Sequence, residues 1–115
     1  MKTVLSFVFA ISALLVWSAV DADAGGDRRL GSVAGIVLDT SHNPVPGAIV
    51  TIHGTTHDGH RYRDRTESNR EGKFGFRAVP AGSYVVAAEH PRVGRDRERI
   101  RVEPGRTTHV RLVLH

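Results

Sequence analysis

Pro44-Val45-Pro46-Gly47 runs directly into Ala48-Ile49-Val50-Thr51-Ile52, and that junction constrains this chain more than any other feature. Two prolines and a glycine do not sit within a helix; they supply turn geometry. Ala48, Val50 and Ile52 then fall at every second position, the signature of a strand with one buried face. The pattern recurs. Glu71-Gly72 precedes Phe74 and Phe76, and Pro80-Ala81-Gly82 precedes Tyr84, Val86 and Ala88. Val33, Gly35 and Val37 alternate before them, as do Ile100 with Val102 and Val110 with Leu112 and Leu114 after them, while residues 60–67 read as a polar strand. Ser41-His42-Asn43-Pro44, Asp58-Gly59 and Glu103-Pro104-Gly105 add further turns. Seven short strands at this spacing, with no helical period after residue 24, predict an all-β fold over residues 31–115. The expected form is a seven-stranded antiparallel Greek-key β-sandwich. Phe74, Phe76, Tyr84, Val50, Ile52, Val86, Val110 and Leu112 are its expected core.

Residues 1–24 stand apart. Lys2 precedes an almost unbroken apolar run over residues 4–20, and Ala22-Asp23-Ala24 forms a small-x-small site before Gly25-Gly26. This is the plan of a secretory signal peptide, so the expected location is secreted or periplasmic. An uncleaved membrane anchor is the alternative, because the run approaches spanning length. Residues 25–30 are expected to be a flexible lead-in. What remains is enough for one domain and one core. The chain has no cysteine, so an exported fold must hold by packing without disulfides. Removing residues 1–24 takes off Lys2, Asp21 and Asp23 and raises the formal charge from +4 to +5. That balance suits acidic partners or simple solubility.

Three motifs together carry a family resemblance. Val33-x-Gly35-x-Val37-x-Asp39, Pro44-Val45-Pro46-Gly47-Ala48-x-Val50, and Gly72-x-Phe74-x-Phe76-x-x-Val79-Pro80-Ala81-Gly82-x-Tyr84 closely resemble the carboxypeptidase regulatory-like domain. The resemblance implies a transthyretin-like (prealbumin-like) sandwich and an accessory role in support, spacing or protein and glycan contacts. Family members often carry an Asp-x-x-Gly turn where this chain has Asn69-Arg70-Glu71-Gly72; an asparagine can make the same local bond.

Catalytic patterns are absent from the sequence. No histidine has a glutamate three residues later, as a His-x-x-Glu zinc carboxypeptidase site requires. The chain ends Leu112-Val113-Leu114-His115, unlike the Tyr-Arg-Gly-Ser tail of the purine-pathway hydrolases that share the transthyretin-like fold. Neither Ser32 nor Ser83 sits in a nucleophile elbow, and no phosphate loop occurs. The expectation is a non-enzymatic protein with no cofactor.

Two sets of residues could bind. Arg61, Arg63 and Arg65 share one face of the third strand, and Arg95, Arg97, Arg99 and Arg101 share one face of the sixth. Such stripes can grip sulfate, phosphate or carboxylate, Arg61, Arg63, Arg97, Arg99 and Arg101 being the expected contacts. They can equally protect exposed strand edges from aggregation. Asp64, Asp96 and Glu98 lie between the arginines and are expected to neutralise part of the field. His53, His57 and His60 bracket the turn after the second strand and are the candidate metal ligands, with solvated histidines as the alternative. Nucleic acid is a poor match, since Tyr62 alone among the aromatics sits with the arginines. The expected partner is an envelope protein or polysaccharide, with membrane contact only if residues 1–24 stay attached.

Overall fold

The structure, a computed structural model, describes residues 29–115. The expected signal peptide and residues 25–28 of the lead-in lie outside the described residues. Seven strands follow one another: β1 (Leu30–Leu38), β2 (Ile49–Thr56), β3 (Arg61–Glu67), β4 (Lys73–Pro80), β5 (Gly82–His90), β6 (Gly94–Val102) and β7 (Thr107–Val113). They form a three-stranded sheet in the order β4-β1-β7 and a four-stranded sheet in the order β3-β2-β5-β6. No helix occurs among the described residues. Leu30 is a strand residue and no part of a lead-in; it pairs with Pro80, and the Arg29 carbonyl accepts from the Ala81 amide.

Four of the five strand pairings are antiparallel. The exception is β1 with β7, which run parallel with Val33 beside Thr108 and Val37 beside Leu112. The expectation of a wholly antiparallel sandwich is corrected there. After β6 the chain crosses to the other sheet, and β7 must bring Val110 and Leu112 inward beside β1. Alternation specifies which face is buried and carries no information about strand direction.

All eight expected core residues are buried. Phe74 and Phe76 meet edge to face, with ring centroids 6.1 Å apart and planes at 66°. The Phe74 ring occupies the space a Cβ on Gly35 would need, which is why β1 carries glycine between Val33 and Val37. Tyr84 anchors the single-residue link between β4 and β5, its hydroxyl donating to the Pro80 carbonyl at 2.6 Å. Ser68 is buried because its hydroxyl is fully used: it donates to the Val45 carbonyl at 2.7 Å and accepts from the Ala48 amide at 2.9 Å. The turn into β4 forms as the asparagine predicts. Asn69 Oδ1 accepts from the Glu71 and Lys73 amides, both at 2.9 Å, and Gly72 takes a φ of 76°.

Candidate functional site

Val50 and Ile52 are fully buried, so the residues between them on β2 face away from the core. Register then determines everything across the outer surface of the four-stranded sheet. Thr55 of β2 lies between Arg61 of β3 and Ser83 of β5, and Ser83 in turn faces Arg101 of β6. The next row runs Arg63, His53, Val85, Arg99, and the one after it Arg65, Thr51, Ala87, Arg97. The last row is Glu67, Ile49, Glu89, Arg95. The two arginine stripes, thirty residues apart in the chain at their nearest, therefore share one outer face, on the two edge strands of one sheet. Three strand spacings separate them, roughly 14 Å. Between them lies a floor of mostly short side chains, so the face is a trough with guanidinium walls.

The carboxylates expected to neutralise the stripes point the other way. Asp64 has the parity of Tyr62, which packs edge to face on the core residue Tyr84 with centroids 5.8 Å apart. Burial, and then the Asp64 charge, push the Tyr62 hydroxyl pKa up. Asp96 Oδ2 accepts from the Val113 amide at 2.9 Å and so ties β6 to β7. Glu98 shares that parity. All seven stripe arginines are exposed, and none of their side chains reaches ion-pair distance of a described carboxylate. Among the described strand residues, Glu67 and Glu89 are the only acids on the face, both in its last row. The expectation of neutralisation is corrected, and its physical cause is strand parity: residues i and i+1 stand on opposite faces.

The candidate metal ligands are not brought together. His53 projects from the centre of the outer face between Arg63 and Val85. His57 and His60 belong to the following turn, where the Thr56 amide donates to the His60 carbonyl at 2.7 Å. Asp58 is committed to that turn: its Oδ1 accepts from the Thr56 hydroxyl at 2.6 Å and lies 3.4 Å from His60 Nδ1. Those contacts, the Thr56 bond first, hold its pKa down at about 2. Among the described residues no group of three or more His, Cys, Asp or Glu could hold a metal ion. The convergence of His53, His57 and His60 is thus corrected: His53 belongs to the strand face, whereas the backbone of the turn carrying His57 and His60 is held by bonds of its own through Thr56.

The floor residues Thr51, Thr55, Ser83, Val85 and Ala87 had no part in the sequence-based site. The signal was available for Thr51, Ser83, Val85 and Ala87, since each sits one position from a residue expected in the core; Thr55 lies beyond the last expected core residue of its strand and follows only by extending the same parity.

The family model for the carboxypeptidase regulatory-like domain matches residues 32–115. No match among curated proteins was found. Of solved structures, the Bacillus anthracis TIE protein superposes with a TM-score of 0.59 at 18% identity, covering 75% of this chain and 16% of its own. A putative carbohydrate binding protein from Pseudomonas aeruginosa gives a TM-score of 0.56 at 13% identity over 81% of this chain and 95% of its own. Klebsiella pneumoniae 5-hydroxyisourate hydrolase gives 0.53 at 16% identity, over 73% and 84% respectively. This chain spans less than a fifth of the first of these proteins and most of the other two. At such identities the likeness is one of fold, and the fold is the transthyretin-like sandwich.

Proposed function

The chain belongs to the carboxypeptidase regulatory-like domain family, and from that premise we propose that it is an exported, non-enzymatic module that binds acidic polysaccharide on the arginine-walled face. One observation carries the reading: two stripes of arginine share a single outer face, free of ion pairs, while the intervening acids face elsewhere. Guanidinium groups hold carboxylate and sulfate with paired, directional hydrogen bonds. Hydroxyls of Thr51, Thr55 and Ser83 on the floor suit the hydroxyls of a sugar chain. A polysaccharide fits better than nucleic acid, because the floor offers no Phe, Tyr or Trp ring for a base and Tyr62 is turned toward Tyr84. The family is a regulatory module and not a catalytic one, and guanidinium and hydroxyl groups predominate on the face.

Edge protection operates alongside this role. β3 and β6 are both edge strands, and a second copy added to either would set arginine beside arginine. Protection alone does not require an unneutralised trough. Chromatography on heparin, with an array of acidic and neutral glycans, tests the proposal. Salt-sensitive retention and selection of acidic glycans are expected. Elution without retention at low salt, or binding that favours neutral sugars, would sink it.

A further inference from the structure

Past its first row, Arg61, Thr55, Ser83, Arg101, the trough opens into a cleft of about 580 Å³. Arg29, Thr55, His57, Ser83, Arg101 and Glu103 contribute to its walls. The volume lies within the range of small-molecule sites. Three of these residues, Thr55, Ser83 and Arg101, belong to both the trough and the cleft, so a ligand on the face reaches the cleft without a barrier between them. We infer that this cleft is a terminal subsite for one acidic sugar unit of the uronate class, seated at the end of a polysaccharide held on the face. The inference rests on the polysaccharide reading of that face.

The chemistry of the walls is mixed in a way that matches such a unit. Arg29 and Arg101 provide two guanidiniums for a carboxylate, and His57 adds an imidazole. Thr55 and Ser83 can donate to or accept from ring hydroxyls, and the Glu103 carboxylate accepts from hydroxyls while repelling a second acid. The cleft therefore distinguishes the charged side of a sugar from its neutral side, which the arginine-dominated walls of the trough do not. Arg29 is placed by its own contacts. Its carbonyl accepts from the Ala81 amide at 2.7 Å, and its Nη1 lies 3.5 Å from Asp58 Oδ2. Asp58 is in turn held by Thr56. The turn after β2 thus acts as the support for one wall of the cleft, and Asp58 is a positioning residue within it.

Titration of the isotope-labelled protein with digalacturonate and tetragalacturonate, followed by amide NMR, tests the assignment. Digalacturonate should shift the amides of Thr55, His57, Gly82 and Ser83, and neutral digalactose should not. Arg29→Ser, an exposed substitution, should weaken digalacturonate binding about tenfold or more and lower the salt needed for elution from heparin by much less than loss of the trough arginines does, and Asp58→Asn should weaken digalacturonate binding less than Arg29→Ser. Shifts confined to the trough, around Thr51, His53 and Ala87, would overturn the cleft and leave the polysaccharide reading standing. Equal shifts with digalactose would overturn its acidic specificity. An absence of shifts with every ligand, together with failure on heparin, would remove both proposals.

Discussion

Serine at Arg97, Arg99 and Arg101 strips one wall from the trough and leaves the fold alone. The outer face carries seven arginines against Glu67 and Glu89, a formal charge of +5, and the triple variant leaves +2. Exposed ion pairs contribute roughly 0.2–1 kcal/mol each. Three lost contacts to a bound polyanion therefore amount to about 0.6–3 kcal/mol, or a rise in Kd of about 3- to 150-fold. The opposite wall, Arg61, Arg63 and Arg65, lies roughly 14 Å away across three strand spacings. At that distance the two triple variants should act independently, and their free-energy losses should add in the six-fold variant. Calorimetric titration with heparin oligosaccharides at about 0.1 M salt, where the Debye length is about 10 Å, measures the effect; near 1 M, where it is about 3 Å, the difference should shrink. Stability should stay within about 0.5 kcal/mol of the parent, because no ion pair within the protein is broken. Unchanged Kd in both triple variants would falsify the shared-face argument. Unchanged binding combined with loss of solubility would assign the stripes to edge protection alone.

Phe76 is 3% exposed and meets Phe74 at the centre of the core, so Phe76→Ala should cost about 3–5 kcal/mol in urea unfolding, most of what a domain this size has; a loss below about 1 kcal/mol would contradict the packing described. Ser68→Ala removes the partner of both the Ala48 amide and the Val45 carbonyl, and should cost about 1–3 kcal/mol by the same measurement. Asp58 should titrate at about 2 in carboxyl NMR, and Thr56→Val should move it upward. Because its folded-state pKa is depressed, its contribution to stability is complete above the unfolded value of roughly 3.9 and is lost as pH falls toward 2. An Asp58 midpoint unmoved by Thr56→Val would remove the hydroxyl as the main cause.

Much of this molecule was legible residue by residue. Pro46 and Gly47 ahead of Ala48, and Gly72 ahead of Phe74, mark strand entries through local sterics, and Val50, Ile52 and Tyr84 declare their inward faces by alternation alone. Both arginine stripes followed from the same parity, and so in principle did the turn of Asp64, Asp96 and Glu98 to the opposite face. Local backbone geometry needs no partner to be read. The parallel pairing of β1 with β7, the meeting of Arg63 and Arg99 across His53 and Val85, and the separation of His53 from His57 and His60 were not legible in that way. Each depends on which distant strand lies alongside and in what register, and that is decided by how Phe74, Phe76, Tyr84 and Leu112 fill one core together. The sequence alone determined that two basic stripes exist; only the tertiary structure decided that they face the same trough and that it ends in a cleft.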